Sequence, residues 1–448
     1  MPLRIGCEEL EALVEALERG DEYKPFQVAK RMVFEERGIA GTVLDRVFTA
    51  ILYRFFRARG IVDRIVSSAK ALEGLSASRS RYLAMLYAFL KHVARMDRDS
   101  VLEAIDRCLD ELARRWGEDP SALRSAIELV ASARYEPSTP EEELELRYFV
   151  PTYLIELVKP LLRSWSEIEE FLKAVNEAPP LGFRVNTLKS TVDRVLEELR
   201  KLGVEAWRSE RVPNVVRYRG VIDYRRFRPL LRGEVVPQDE PSALAALILK
   251  PEPGDLVLDM CAAPGGKTTH LAEVSRNKAT IVAIDLYPDR MARLLELAAR
   301  TSTYVSILPL LGDARLAPSM LPRSSFDRVL LDPPCSSTGV LAKHPDARWR
   351  LNPDKLLELV ELQRQLLEAA HRLLKVGGYL LYTTCSVTVP ENEGNIKWFL
   401  AKHPCYEVVP LEGPYDPSPL LPGSMRAWPH RHGVSGFFFA LLRKRAEC

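Results

Sequence analysis

From about Val235 to the end of the 448-residue chain, short apolar runs alternate with amphipathic stretches. Leu256 to Leu258, Ile281 to Ile284, Val329 to Leu331 and Tyr379 to Tyr382 read as strands. Lys267 to Val274, Asp289 to Arg300 and Asp354 to Leu374 carry apolar residues at helical spacing. Strands separated by helices pair in parallel, because a crossover helix returns the chain to the same end of the sheet. The alternation therefore predicts an α/β domain over 235–445, a Rossmann-like parallel sheet with helices on both faces.

The upstream sequence has other periods. Residues 1 to about 135 read as helices. Phe26, Val28, Ala29, Met32 and Val33 form one apolar face, and Leu44, Val47, Phe48, Ile51, Leu52 and Phe55 another. The run Tyr82 to His92 gives a third, with Ser78 or Ser80 as the helix cap. An all-α bundle is expected over 1–138. The stretch Tyr135-Glu-Pro-Ser-Thr-Pro-Glu-Glu-Glu143 is rich in turn formers and acids and reads as a boundary. Residues 146–234 mix helices with short strands, a small α+β domain. Phe183-Arg-Val-Asn-Thr reads as a strand there, and Thr191 to Leu202 as a helix ending at Gly203.

No apolar run approaches the roughly 18 residues of a membrane span. The N-terminus carries acids early and lacks the apolar core of a signal peptide, so a cytoplasmic location is expected. The seven cysteines are scattered and include no CxxC pair. Neither a zinc site nor a disulfide framework is read from them, and Cys7, Cys108 and Cys405 read as packed small hydrophobes. Net charge is only +2, so any affinity for a polyanion must come from local clusters.

Ligands of open parallel sheets sit beyond the carboxyl ends of the strands. The first strand there ends in Asp259-Met-Cys261-Ala262-Ala263-Pro264-Gly265-Gly266-Lys267. Two glycines before a helix allow close approach to a ligand, and the helix start offers free N–H groups. The pattern is neither GxGxxG nor GxxxxGK[ST], so a pyrophosphate is not indicated. Asp285 ends the second strand, placed for two ribose hydroxyls. Asp313 follows the third and suits an adenine amino group. Asp332 follows the fourth. A single glycine pair is more often only a turn, and a single aspartate a helix cap. Their ordered recurrence favours a ligand site. Several carboxylates would repel a polyphosphate but suit a sulfonium, which favours S-adenosyl-L-methionine.

Cys335 lies just beyond the fourth strand and Cys385 just beyond the fifth. Neighbouring strands are roughly 5 Å apart, so both thiols can face one pocket. Residues 207–232 carry eight arginines (Arg208, Arg211, Arg217, Arg219, Arg225, Arg226, Arg228, Arg232) interleaved with Trp207, Tyr218, Tyr224 and Phe227. Such a segment is either a solvated hairpin surface or a platform for phosphates and unpaired bases. Lys343-His-Pro-Asp-Ala-Arg-Trp-Arg350 is a second candidate, read as a substrate loop. His430 and His432 read as turn formers; no metal site is assigned.

Asp259-Met-Cys-Ala-Ala-Pro-Gly-Gly-Lys-Thr, Asp332-Pro-Pro-Cys-Ser-Ser-Thr-Gly, Thr383-Thr-Cys-Ser and Glu391-Asn-Glu resemble the motifs of the Nop/Sun family of RNA cytosine-5 methyltransferases. Phe183-Arg-Val-Asn-Thr, Gln238-Asp-Glu-Pro-Ser, Pro429-His-Arg-His-Gly and Gly436-Phe-Phe add to the likeness, which spans roughly 149–443. Tyr53-Arg-Phe-Phe-Arg and Gly60-Ile-Val-Asp-Arg resemble, more loosely, the NusB-like RNA-binding domain of the Sun-type ribosomal RNA enzymes. The resemblance implies an RRM-like middle domain and cofactor contacts by Cys261 to Lys267, Asp285, Arg290, Asp313 and Asp332. It implies Cys385 as the nucleophile, Cys335 as the residue that assists product release, and Asp332 as a partner of the base. The expected substrate is RNA, ribosomal first and transfer RNA second, acted on by a monomer. The alternatives are a transfer RNA cytosine-5 enzyme, an amino-group or DNA methyltransferase of the same fold, and a non-enzymatic RNA-binding assembly protein.

Overall fold

The computed structural model describes residues 5–23, 26–94 and 99–448. The chain forms two compact units: Met1–Ile155 with His344–Arg350, and Glu156–Lys343 with Leu351–Cys448.

The first unit is helical, with helices Cys7–Glu22, Gln27–Glu36, Val43–Ser68, Ser78–Ala88, Asp99–Arg115, Pro120–Ser132 and Pro140–Tyr148. Phe48, Leu52, Phe55, Leu83, Leu86, Ile105 and Leu109 meet in one core. The expected face of the second helix is partly corrected, since Val28 is exposed while Phe26, Ala29 and Val33 are buried. Neither expected serine caps Ser78–Ala88; Ala77 holds that place with no side-chain bond, and its N–H donates to the Glu118 carboxylate. The acidic stretch read as a turn becomes a helix from Pro140. Thr139 caps it, and Glu141, Glu142 and Glu143 sit in its first turn, where the helix dipole favours negative charge.

The short segment 344–350 is corrected too. Arg348 is fully buried and donates to the carbonyls of Tyr148 and Phe149. Trp349 donates from Nε1 to the Arg57 carbonyl at 2.9 Å, and its ring fills the space over Gly60, where a Cβ would lie 2.1 Å away. These residues anchor their segment within the helical unit and are not free for a substrate.

The cysteine reading is overturned in part. Cys7 pairs with Cys108, and Cys405 with Cys448. The partners are 101 and 43 residues apart, so no spacing in the sequence marks them.

The second unit holds two sheets. The smaller contains β1 (Leu181–Val185), β2 (Glu205–Arg208), β3 (Val215–Arg219) and β4 (Val235–Pro237), all antiparallel in the order β2-β3-β1-β4. Helix Val192–Lys201 covers it, and Gly203 follows with a positive φ of 70°. Phe183 stacks on Tyr218 in this core, and Phe227 packs beside them. Tyr218 and Phe227 are buried, which removes them as platforms for bases. Trp207 instead lies against Arg217 and Arg219.

The larger sheet contains β5 (Leu256–Asp259), β6 (Thr280–Asp285), β7 (Ile307–Leu311), β8 (Phe326–Leu331), β9 (Leu374–Thr384), β10 (Tyr406–Val409), β11 (Asp416–Pro417), β12 (Met425–Ala427) and β13 (Phe437–Lys444). Strands β7-β6-β5-β8-β9 run parallel in that order, and β13 joins β9 antiparallel. Alternate residues face opposite sides. Val257, Ile281, Ala283 and Leu330 pack with Leu271, Leu294 and Ala298 of two crossover helices. Leu258, Val282, Val329 and Leu331 pack with Leu366, Leu367, Ala370 and Leu373 of a third. This is the doubly wound α/β architecture expected from the period change. The strand order reverses between β5 and β8, which sets a crevice at their carboxyl ends.

Candidate active site

The loop after β5 enters helix Gly266–Val274 through Gly265, whose φ is 101°. A Cβ there would lie 2.9 Å from Leu294 Cγ and 3.2 Å from its Cα, so only glycine fits. Asp259, at the end of β5, is buried and accepts from the Thr268 hydroxyl at 2.7 Å. Burial pushes its carboxyl up to about 7. Burial likewise pushes the Cys261 thiol up.

Asp285 ties the loop down. Its two oxygens accept from the N–H groups of Ala263 at 3.0 Å and Tyr287 at 3.1 Å. Each oxygen keeps a further lone pair for an incoming hydroxyl. Arg290 donates to the Ala263 carbonyl and stands 3.6 Å from Asp285. Ala262 and Ala263 are buried and Pro264 is exposed on the loop. Asp313 caps the turn after β7 and is gripped by the Arg315 guanidinium, which holds its carboxyl below the usual range.

Lys267, on the first turn of its helix, forms an ion pair with Asp332. Burial pulls its ammonium down, but the Asp332 charge outweighs that and raises it. Asp332 begins the loop after β8, and three residues on is Cys335. Because β8 and β9 are adjacent and parallel, Cys335 Sγ and Cys385 Sγ come within 3.3 Å. The hydrogen bond between them lowers the Cys385 thiol, helped by Lys267 and opposed by burial and Asp332. The same bond, with burial, raises Cys335 well above the ordinary thiol range. The bond thus favours ionisation of Cys385 over that of Cys335.

Residues outside the expected set hold these two loops. The Glu391 carboxylate accepts from the Ser336 N–H at 2.8 Å, the Ser386 hydroxyl at 2.6 Å and the Thr388 hydroxyl at 2.7 Å. Ser336 follows Cys335 and Ser386 follows Cys385, so one buried carboxylate fastens both cysteine loops. Gln363 of helix Pro353–Leu373 reaches Glu391 and the Pro334 carbonyl. A helix glutamine carries no signal for such a role, whereas Glu391 lay within a quoted motif without an assigned part. Arg184 of β1 is also fully buried. It donates to Gln238, Thr269 and the Gly266 carbonyl, and pairs with Glu273 at 2.7 Å. The Phe183-Arg and Gln238-Asp motifs therefore brace the start of the glycine-loop helix.

The arginines of 207–232 are divided. Arg211 and Arg217 donate to the carbonyls of His432 and Gly433, and Arg208 pairs with Asp193. Arg226 is largely solvent-exposed. His432 accepts from the Trp428 N–H in the turn Pro429–His432, as its turn reading required.

Fold and site together define a Rossmann-like methyltransferase with a paired-cysteine crevice. A family model described as 16S rRNA methyltransferase RsmB/F matches residues 246–443, and a Methyltr_RsmF/B-like, ferredoxin-like domain matches residues 151–223. The ribosomal RNA small subunit methyltransferase B of Klebsiella pneumoniae is 35% identical over 305 residues, 68% of either chain. That of Sodalis glossinidius is 38% identical over 264 residues, 59% of this chain and 60% of the relative's length. The crystal structure of PH0851 is 39% identical, with a TM-score of 0.84 over 99% of this chain and 100% of that one. NSun6 from Pyrococcus horikoshii, solved with SFG, is 25% identical, with a TM-score of 0.60 over 66% of this chain and 98% of its own. The chain belongs to the RsmB/F family of 16S rRNA methyltransferases.

Proposed function

We propose that this protein methylates carbon 5 of a cytosine in small-subunit ribosomal RNA, using S-adenosyl-L-methionine and a covalent adduct to Cys385. The observation that carries the reading is the 3.3 Å contact between Cys335 and Cys385 beside the Lys267–Asp332 pair. Names of the relatives support the ribosomal substrate. We further read the chain as an N-terminal helical NusB-like part (1–138), an RRM-like α+β part (146–234) and a catalytic part (235–445), working as a cytoplasmic monomer.

The crevice residues fit the cofactor. Asp285 has lone pairs for ribose hydroxyls, Gly265 leaves no side chain over the loop, and the carboxylates suit a cation. Cys261, Ala262, Ala263, Pro264, Gly266, Lys267, Arg290, Asp313 and Asp332 complete the proposed lining. When bound, S-adenosyl-L-methionine supplies an electrophilic methyl group.

Carbon 5 of cytosine is too weak a nucleophile alone. The Cys385 thiolate attacks carbon 6, forming a C–S bond and making carbon 5 enamine-like. Asp332, when it holds a proton, donates it in a hydrogen bond to nitrogen 3, and the Lys267 ammonium beside it balances the charge of the adduct. After methyl transfer the carbon 5 proton leaves to a base, the C–S bond breaks, and Cys385 departs as thiolate. Cys335 assists this release, itself or through a water. The base must leave its stack to reach the sulfur, which is cheapest in an unpaired loop. Incubating the protein with 16S rRNA and labelled cofactor, then digesting the RNA, tests the proposal. 5-Methylcytidine is the expected product; a methylated exocyclic amine would refute it.

A further inference from the structure

Four side chains of metal-ligand type meet at the end of the large sheet opposite the crevice. Strand β13 runs antiparallel to β9, pairing Phe438 with Thr384 and Arg443 with Tyr379, so its end lies away from Cys385. Tyr406 of β10 pairs with Lys444 of β13, and the Arg445 N–H donates to the Cys405 carbonyl at 2.7 Å. That pairing sets Cys405 beside the tail that carries Cys448, and the two are bonded. His371, in the last turn of helix Pro353–Leu373, and His403, just past helix Asn395–Lys402, complete the group. One ligand atom each of His371, His403 and Cys448 lies within 4.8 Å of the others. The two rings stack with centroids 4.0 Å apart. His403 turns Nδ1 toward the Cys448 sulfur at 4.0 Å and Nε2 toward the Glu368 carboxylate at 2.8 Å. A carboxylate behind a histidine fixes its tautomer and strengthens it as a ligand. Glu368 is itself held by Lys402 at 3.0 Å.

A sulfur bonded to sulfur is a poor ligand, whereas a thiolate is a strong one. A tetrahedral zinc ion with two sulfur and two nitrogen ligands holds those atoms about 3.3–3.8 Å apart, so shifts of about an ångström close the group on one ion. We propose that reduction of the Cys405–Cys448 bond converts this group into a zinc site of two thiolates and two imidazoles. The reductant is a dithiol, which passes two electrons and two protons to the Cys405 and Cys448 sulfurs and leaves as its own disulfide. Zinc then binds both sulfurs, and the two thiol protons depart to water. Two thiolates cancel the charge of the ion, so no unbalanced charge is buried. His403 and Cys405 are buried while Cys448 is exposed, which gives the ion a way in. The tail after β13 is thus clipped to the start of β10 in either redox state, by a disulfide or by a metal.

Cobalt(II) probes the site on the full chain, reduced with a dithiol and then freed of it under argon. The d–d bands of tetrahedral cobalt and a sulfur-to-cobalt charge-transfer band are expected, both bleached by an equimolar amount of zinc. The oxidised chain should show neither, a comparison that needs no substitution. Cys335→Ser with Cys385→Ser should keep the bands, which separates them from the crevice thiols, and Cys7→Ser with Cys108→Ser should keep them too. Cys405→Ser with Cys448→Ser should lose the sulfur band. Glu368→Gln should keep the shape of the spectrum and weaken cobalt binding about 10–100-fold. A melting curve on each variant checks folding, and zinc should raise the melting temperature of the native chain only after reduction. A reduced native chain without the sulfur band, or a band that survives loss of both Cys405 and Cys448, would overturn the site.

Discussion

The sulfur atoms of Cys335 and Cys385 stand 3.3 Å apart at the ends of β8 and β9, and the bond between them drives the two thiols in opposite directions. In the proposed reaction that asymmetry separates the nucleophile from the group for release. Cys385→Ala should abolish methylation, since the neighbouring Cys335 thiol, raised by its bond to Cys385 and by burial, is not the group that attacks in the proposed reaction. Cys335→Ala should still attack but fail to resolve, leaving a denaturant-resistant protein–RNA band on a gel. Full turnover by the Cys385 variant would refute the assignment.

The same bond sets a pH dependence. The hydrogen bond from Cys335 is the largest cause that lowers Cys385; burial opposes it. Removing the donor therefore raises the Cys385 pKa. The acid limb of adduct formation should move to higher pH in Cys335→Ala, with a larger loss at pH 6 than at pH 9. Cys335→Ser, which keeps a donor, should hold the limb near its native place. Single-turnover adduct yields across pH measure this; an unmoved limb in the alanine variant would mean the two thiols are not coupled.

Asp259 gives a second pH effect, on stability. Burial holds its folded carboxyl at about 7, against about 3.9 in an unfolded chain. The fold therefore favours the protonated form. Its contribution is complete below about pH 4 and is lost as pH rises through 7. Asp259→Asn removes that loss. Its melting temperature should match the wild type at pH 5 only to within the cost of the swap, and gain on it by pH 8. A wild-type protein that gains on the variant over this range would show the carboxyl ionised in the fold.

Much of this was legible in the chain. The period change at residue 235 gave the parallel sheet, and Asp259, Asp285, Asp313 and Asp332 fell near strand ends because apolar runs stop where the sheet does. Adjacency of Cys335 and Cys385 followed from adjacent strands. What stayed hidden depends on contacts between distant residues. Glu391 and Gln363 fasten the cysteine loops across the fold, and Arg348 and Trp349 serve the helical unit from within the sequence of the other. For Tyr218 and Phe227 a solvated hairpin and a stacking platform stay equally open in the sequence, because a short basic hairpin looks alike whichever face its aromatics take.

Gly265 separates a backbone requirement from mere smallness. Its φ of 101° and the 3.2 Å approach of Leu294 Cα leave no room for a Cβ. Gly265→Ala should cost about 1–3 kcal/mol and weaken cofactor binding at least about tenfold as the loop shifts. Gly266→Ala meets only the Gln238 side chain at 3.6 Å, so the fold should tolerate it with little change in melting temperature. Calorimetric titration with S-adenosyl-L-methionine compares the two. Equal affinities would mean that the loop does not shape the cofactor site.

The Cys7–Cys108 and Cys405–Cys448 pairs leave three free thiols, Cys261, Cys335 and Cys385. Disulfides persist inside cells chiefly in hyperthermophiles, so their presence is a matter to measure on the purified chain. Titration in denaturant should find three reactive thiols, rising to all seven after reduction. Closing a loop of about 100 residues contributes about 4.7 kcal/mol in the chain-entropy account, and a loop near 40 about 4. Cys7→Ser with Cys108→Ser should therefore lower the melting temperature somewhat more than Cys405→Ser with Cys448→Ser. Neither should alter adduct formation by Cys385, whose partner is Cys335. Seven reactive thiols before reduction would restore the reading of Cys7, Cys108 and Cys405 as packed small hydrophobes.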